Sequence, residues 1–265
     1  MVSMKVQSLC STQEEADTKI ILHCQHAAED QQLKGCDIVV RSPDTDVFIL
    51  LIHYKERIGN VRVMFDTGIG DKRRMIDIGD VIAAQDKDFA KYIIGLHSMT
   101  GCDTTSAFVR KGKIRPFKLA KSQQKFANAF AALGDEVDIS ESVKKILEEF
   151  VCHLYGDVKE TSINKLRYKK ARQKFTAAQF LSSCEGTDMT LLPPSQAALT
   201  MHIKRANYQA LVWKNAHVPN LKLPGPAEGH GWGIGDNGLE YDWCEGPFLP
   251  QVRVMTLTIY HHVCA

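Results

Sequence analysis

Residues 37–46 read Asp37-Ile38-Val39-Val40-Arg41-Ser42-Pro43-Asp44-Thr45-Asp46, and the largely apolar segment 47–54 follows them. The β-branched run at 38–40 predicts a short buried strand. Ser42, Pro43 and the acids after them are typical of a helix start, because a cap residue precedes a proline at the first position. A strand that leads directly into a helix begins a βα unit, so this segment predicts the α/β class.

Helix and strand patterns alternate on both sides of this segment. The flanking predictions are a helix at 11–28, strands at 61–65 and 74–78 joined by a turn at 68–70, and a helix within 82–97 that ends at Gly95 or soon after. The first of these helices has capping-box pairs, because Ser11 and Thr12 each precede a glutamate by three residues. Since helices and strands alternate, the pattern favours a parallel sheet with helical crossovers.

The second half of the chain changes to helices and then to turns. Amphipathic spacing predicts helices at 123–133, 139–154, 162–175 and 195–214. Glycine and proline dominate 219–250, which predicts a turn-rich segment, and the apolar, β-leaning run at 252–263 has no assigned partner. We therefore divide the chain into an α/β core at 1–120, a mostly helical region at 121–215 and a Gly/Pro-rich tail at 216–265.

The composition is that of a folded protein and excludes a histone-like polycation. The chain has 33 basic and 31 acidic residues and a net charge of +2, so nucleic-acid binding would need a local basic face. Its 8 cysteines form no C-x-x-C pair, and we expect reduced thiols. Neither a membrane-spanning stretch nor a signal peptide is evident, so we expect an intracellular protein with no membrane partner. The basic run at 72–74 makes the nucleus a candidate compartment.

Three acidic motifs carry the chemical signal: Glu15-Ala16-Asp17, Asp44-Thr45-Asp46 and Gly101-Cys102-Asp103. Each lies at an expected junction between a loop and a helix, and in parallel α/β folds such junctions share one edge of the sheet. Carboxylates gathered there suit hard divalent cations, and two ions roughly 4 Å apart can activate water for phosphodiester cleavage. The structural alternative is that acids in a first helical turn only complement the helix dipole, with Glu15 as half of a capping box.

In their order and spacing these motifs resemble the flap-endonuclease family, the XPG-like and PIN-like 5′ nucleases. Those proteins have an E-A-E or E-A-D segment that opens a helix, a strand that leads into D-x-D, and then an apolar helix, a G-x-D and a hairpin rich in glycine and lysine. The three acidic motifs match the acidic elements in this order, and residues 109–113 stand at the hairpin position. The resemblance covers residues 13–119.

This resemblance implies a PIN-like parallel-sheet core and a nuclease that cuts DNA or RNA near junctions between single strands and duplexes. The cofactor would be Mg²⁺ or Mn²⁺, with two ions where the site is complete. The implied metal ligands and catalytic residues are Glu15, Asp17, Asp44, Asp46 and Asp103. The implied hairpin spans 103–118, and its phosphate contacts would come from Arg110, Lys111, Gly112, Lys113, Arg115 and Lys118.

The chain departs from the family pattern in two places. The family fold begins with a strand that bears a further metal-binding aspartate and with a helical arch, for which the residues before Gln13 leave no room. We therefore expect an N-terminally incomplete core. The hairpin has one glycine, Gly112, where the family usually has G-x-G. Two alternatives follow: a catalytically dead module that binds nucleic acid or protein, and a PIN-type ribonuclease that acts on single-stranded RNA.

Other patterns receive structural interpretations. Asp66-Thr67-Gly68 is similar to an aspartic-protease motif, but a glycine turn between strands explains it better, since that chemistry needs two such carboxylates. The glycine-rich run at 231–235 lacks the strand and helix that a nucleotide-binding turn requires. Tyr168, Tyr208 and Trp213, which lie beside basic groups in the later helices, could stack on nucleobases or could belong to ordinary core helices.

Overall fold

The computed structural model describes residues 6–30, 35–174 and 189–244, and helices make up most of these ranges. The regular elements are α1 (Ala16–Glu29), β1 (Ile38–Arg41), α2 (Thr45–Ile58), β2 (Val63–Thr67), β3 (Arg74–Asp77), α3 (Ile78–Ala83), α4 (Phe89–Thr100), α5 (Ile114–Ser122), α6 (Gln124–Ala132), α7 (Glu141–Leu154), α8 (Ile163–Lys174), α9 (Gln196–Lys214), β4 (Trp232–Gly235) and β5 (Gly238–Tyr241). In the part of the chain that the structure describes, none of the helices has the length and apolar character needed to cross a membrane.

The main sheet has three strands in the order β1-β2-β3. β1 and β2 are parallel, with Ile38 opposite Val63 and Arg41 opposite Asp66, and α2 connects them. β3 runs antiparallel to β2, as expected for a return strand after the glycine turn. The predicted α/β class is confirmed, but the sheet is small and mixed, so a parallel arrangement holds only for the pair β1–β2.

The glycine turn between β2 and β3 explains the Asp66-Thr67-Gly68 motif. Gly68 has φ +84°, and a Cβ there would overlap the carbonyl oxygen of Lys72. The side chain of Asp66 is held by Arg73, whose Nε and Nη2 donate to its two oxygens over 2.9 and 2.8 Å. This carboxylate is therefore neutralised within the turn, and the structural interpretation of the motif is confirmed.

The start of α1 corrects the capping-box prediction. The helix begins at Ala16 and not near Ser11, and its N-cap residue Glu15 makes no side-chain cap hydrogen bond. Ser11 Oγ instead donates to the carbonyl oxygen of Pro219 over 2.9 Å. The side-chain Nε2 of Gln13 donates to the carbonyl oxygens of Ala216 and Val218 over 2.9 and 2.8 Å. Residues 11–13 therefore bind the loop after α9, which leaves the carboxylate of Glu15 available to other partners.

The helix predicted within 82–97 is two helices, α3 and α4. Gly95 does not end α4, which continues to Thr100 before Gly101 turns the chain with φ +107°. Gly95 lies where α4 packs on α6, and a Cβ there would overlap the carbonyl oxygen of Phe130. The glycine is therefore a close-packing residue inside the helix and not a helix breaker.

The four predicted late helices are confirmed as α6, α7, α8 and α9, with ends within two residues of the predictions as far as the structure describes them. Two elements were missed. α5 begins inside the stretch predicted as a hairpin and extends beyond it, and the β4–β5 hairpin lies in the segment predicted to contain only turns. The run at 231–235 is thus largely a strand. The β-leaning run at 252–263 lies outside the described residues.

The core centres on α4, which packs against α2, α6 and α9. Ile94 of α4, Leu51 of α2 and Phe130 of α6 are fully or almost fully buried. Trp213 of α9 is 1% exposed although it is the largest side chain among them. This packing brings the end of α4 to the starts of α1 and α2, where the acidic motifs lie.

Candidate functional site

The predicted carboxylates lie at three chain junctions. Glu15 is the N-cap residue of α1, and Asp17 lies in the first turn of that helix. Asp44 is the N-cap residue of α2, where Oδ1 accepts a hydrogen bond from the backbone N–H of Asp46 over 2.8 Å. Asp103 lies in the turn that follows α4. The motifs therefore occupy two helix starts and one helix exit, close to the arrangement that the sequence predicts.

The structure brings these five carboxylates within electrostatic range of one another. Partial burial, followed by the charges of Asp44, Asp46, Glu15 and Asp103, raises the pKa of Asp17 to about 6. Among the described residues, no lysine or arginine forms an ion pair with any of the five, in contrast to Asp66, which Arg73 neutralises. The cluster is therefore a concentration of negative charge that the described part of the protein leaves without a lysine or arginine partner, although His97 contacts Asp46.

Glu15 is held in place by α9. Its Oε1 accepts a hydrogen bond from Nε2 of Gln209, and its Oε2 accepts one from Nε1 of Trp213, each over 2.9 Å. Oε1 of Gln209 in turn accepts a hydrogen bond from Thr104, the neighbour of Asp103, over 2.8 Å. The network therefore connects the start of α1 to the turn after α4 through neutral donors, which leave the negative charge of Glu15 in place.

Asp46 is held by a histidine on α4. Nε2 of His97 lies 2.7 Å from Oδ1 of Asp46, and both residues are buried. The His97 ring lies against that of Trp213, with 5.8 Å between ring centroids. Trp213 therefore links two motifs: it donates to Glu15 directly, and it packs on His97, the partner of Asp46. This contact joins the starts of α1 and α2 into one site.

The donor set fits a hard divalent cation in its chemistry, because all five candidate ligands offer carboxylate oxygens. Within 6–30, 35–174 and 189–244, however, no three or more His, Cys, Asp or Glu side chains are arranged so that they could hold a metal ion directly. Mg²⁺ usually keeps several waters and takes only one or two protein carboxylates directly. The described residues therefore do not form a closed cage of protein ligands, and a divalent ion at this site stays a prediction.

Some basic residues of the predicted hairpin make structural contacts, and others are exposed. Lys113 donates from Nζ to the carbonyl oxygens of His97, over 3.0 Å, and of Gly101, and to Oγ1 of Thr100 over 3.1 Å. Burial lowers the pKa of this ammonium group to about 8. Lys113 thus caps α4 at the edge of the carboxylate site, and it is not a freely extended phosphate ligand.

The other hairpin residues differ in how free they are. Nζ of Lys111 lies 4.4 Å from the centroid of the Tyr155 ring, and Nη2 of Arg115 donates to the carbonyl oxygen of His153 over 3.4 Å. Arg110, at φ +57°, and Lys118 are exposed. Gly112 has φ +39°, a conformation that glycine adopts readily. Phosphate binding by the hairpin stays a prediction, and the exposed Arg110 and Lys118 are its first candidates.

Sequence reasoning did not assign three residues to the carboxylate site: His97, Gln209 and Trp213, the last of which was considered only as a possible stacking residue. His97 follows the apolar run of α4 and precedes Asp103 by six residues, so its position near the helix end was a usable signal. Gln209 and Trp213 come from α9, more than a hundred residues away, and nothing local marks them. Trp213 is also too deeply buried to stack on a ligand, whereas Tyr168 is 64% exposed.

A cleft of about 600 Å³ opens beside the cluster. Its lining includes Glu15 and Asp103 together with residues of the segment after α9, among them residues of β4 and β5. Tyr208 of α9 lines the cleft, so this aromatic group is placed where a ligand could contact it.

Comparison of the chain with protein-family models, with curated proteins and with solved structures found no match.

Proposed function

We propose that this protein is a divalent-metal-dependent phosphodiesterase that acts on nucleic acid, related in fold and chemistry to the PIN-like, structure-specific 5′ nucleases. The observation that carries the proposal is the network in which Trp213 joins Glu15 to the His97–Asp46 pair. This network holds carboxylates from separate motifs at one place, whereas isolated first-turn acids would need no such partners. The sequence resemblance supports the same conclusion through the order of the motifs.

The chain's own residues would orient the reacting groups. Glu15 has both oxygens fixed by α9, and Asp46 is fixed by His97, so two of the carboxylates cannot turn freely. Asp103 and Asp17 make no such bonds among the described residues and can adjust to a bound ion. A bound Mg²⁺ or Mn²⁺ would supply an activated water and would offset negative charge on the phosphate. Fixed ligands beside adjustable ones suit this role.

Binding of the phosphate backbone would fall to exposed basic groups near the turn after α4. Arg110 and Lys118 are the best placed, because Lys113 and Lys111 are occupied by the end of α4 and by Tyr155. Because few cations are free, their contribution to the affinity for nucleic acid should be modest and independent of sequence, and it should fall as the salt concentration rises. We therefore expect weak, salt-sensitive binding to DNA or RNA that the carboxylate site then acts on.

The test is cleavage of an end-labelled flap DNA and a single-stranded RNA with Mg²⁺ or Mn²⁺. The wild-type protein should cut at least one of them only when the metal is present. Asp103→Asn and the double variant Asp44→Asn, Asp46→Asn should lose cleavage. Asp80→Asn should retain it, because that exposed residue lies beside the opposite edge of the sheet. Asp103→Asn matters most, since its exposed side chain makes its effect on folding small.

Each outcome separates the candidate functions. Cleavage of flap DNA supports the 5′-nuclease form of the proposal, and cleavage of single-stranded RNA alone supports a PIN-type ribonuclease. Binding without cleavage by a folded sample, with either metal, would contradict the enzymatic proposal and favour a catalytically dead binding module. That alternative draws on the observation that the described carboxylates do not form a closed metal-holding group.

A further inference from the structure

The cleft beside the carboxylate cluster has an aromatic wall. Trp232 of β4 and Tyr208 of α9 meet with 5.6 Å between ring centroids at an interplanar angle of 69°. Tyr208 Oη donates to the carbonyl oxygen of Pro224 over 2.9 Å, which fixes its ring. Tyr241 of β5 is paired with Trp232 in the hairpin register and is 42% exposed. Three aromatic side chains thus line one cleft, two of them fixed and one accessible.

The size of the cleft fits a small planar ligand. Its volume of about 600 Å³ lies within the roughly 300–1,000 Å³ range of small-molecule sites. Leu223 and Leu239 add apolar surface to the aromatic wall. Because Glu15 and Asp103 also line this cleft, a group held in it would lie beside the carboxylate cluster.

A buried arginine lies against the aromatic wall. Arg205 is 2% exposed, and its guanidinium carbon lies 5.4 Å from the centroid of the Tyr241 ring. Its Nη1 donates to the carbonyl oxygens of Gly231 and Asp242 over 2.8 and 2.7 Å, which holds the cation behind the hairpin. Arg205 therefore already serves as the cation–π partner of Tyr241, and the exposed part of that ring is left for an uncharged, flat ring to stack on.

We infer that this cleft holds an unpaired nucleobase of the strand whose phosphate lies at the carboxylate cluster. The link to the phosphate rests on the proposed function, whereas the base pocket rests on the aromatic wall itself. Every nucleobase has a π-face, so stacking on Tyr241 and its neighbours is tolerant of sequence. The chemistry is shared by single-stranded DNA and RNA. The site would select an unpaired nucleotide next to the scissile phosphate.

The experiment measures binding without metal, so that no cleavage can occur. A fluorescein-labelled thymine 12-mer of DNA, a uracil 12-mer of RNA and an abasic 12-mer are titrated with the full chain at low salt, in EDTA, by fluorescence anisotropy. The wild-type protein should bind one or both base-containing strands on the order of tenfold more tightly than the abasic strand. Tyr241→Ala should remove this preference. Tyr168→Ala, an equally sized change at an exposed tyrosine on α8 outside the cleft, should keep it.

A second variant guards against misfolding of the hairpin. Ile234→Ala changes an 84% exposed residue of β4 that does not line the cleft, and it should retain the preference for base-containing strands. Equal affinity of the wild-type protein for abasic and base-containing strands would overturn the inference, as would an unchanged preference in Tyr241→Ala. Tighter binding of a lysine-rich peptide, lost in Tyr241→Ala, would overturn it in favour of a cationic partner.

The inference and the proposed function can fail separately. Metal-dependent cleavage by a protein that shows no preference for bases would leave the proposed function standing and remove the nucleobase cleft. A preference for bases that depends on Tyr241, in a protein that never cleaves, would support the cleft and contradict the enzymatic proposal.

Discussion

Replacing Asp17 by asparagine should stabilise the folded protein at neutral pH. The folded-state pKa of Asp17 is about 6, because of burial and of the surrounding carboxylates, against an ordinary value of 3.8. Between these two pH values the folded state binds more protons than the unfolded state. The stability of the wild-type protein therefore falls as the pH rises through this window and stays reduced above it. Asparagine has nearly the same shape but no charge, so it removes this loss.

The size of the effect follows from the same pKa difference. The rise from 3.8 to about 6 corresponds to about 3 kcal/mol at full strength. Asp17 is only partly buried, and water screens much of the interaction, so the gain in the free energy of unfolding should be about 1 kcal/mol. For a domain of this size, that gain raises Tm by about 2–4 °C.

Urea unfolding at pH 7.5 and at pH 4.5 tests this prediction. The advantage of Asp17→Asn over the wild-type protein should be present at pH 7.5 and should shrink at pH 4.5, where the folded-state carboxyl group is mostly protonated. Asp80→Asn, outside the cluster, should show no gain of this kind. A variant less stable than the wild-type protein at pH 7.5, or a gain that is the same at both pH values, would refute the idea that the carboxylates crowd Asp17.

Three further changes test the packing, the network and the basic surface. Gly95→Ala should lower the free energy of unfolding by about 3 kcal/mol, because its methyl group would overlap the backbone of α6; a loss below about 1 kcal/mol in urea unfolding would contradict this contact. Trp213→Phe should cost about 2 kcal/mol, since it leaves an oxygen of Glu15 without its donor, and a neutral result by the same measurement would argue against that hydrogen bond. Lys118→Gln should reduce the slope of log Kd for DNA against log salt concentration by about one, whereas Lys113→Gln should leave this slope unchanged and lower Tm. Equal slopes for Lys118→Gln and the wild-type protein would show that Lys118 does not bind phosphate.

Much of the fold could be predicted because its signals are local. The β-branched run at 38–40 predicts β1, and amphipathic spacing predicts α6 to α9. The acids after Pro43 predict α2, although its N-cap residue is Asp44 and not Ser42, and Pro43 lies before the helix. Where the predictions were wrong, a distant contact had replaced a local one. Ser11 does not cap α1 because its hydroxyl binds the loop after α9, and Gly95 does not end α4 because the helix needs a glycine against α6.

The residues of the candidate site were also predictable only where their signals are local. The carboxylates were predictable, because short acidic motifs in a familiar order are visible in the sequence. Their partners were not, since Gln209 and Trp213 reach Glu15 from almost two hundred residues away. The role of Lys113 was also hidden, because a lysine that caps the end of α4 and a lysine that binds phosphate have the same local sequence.

Direct binding of Mn²⁺, followed by the loss of the free-ion signal in electron paramagnetic resonance, tests the central claim that the five carboxylates form a site for a divalent cation. The account predicts that the wild-type protein and Asp80→Asn bind Mn²⁺ with the same affinity, that excess Mg²⁺ displaces it, and that Asp103→Asn and Asp17→Asn each bind it at least about tenfold more weakly. No binding by the folded wild-type protein, or equal binding by all four proteins, would contradict the account.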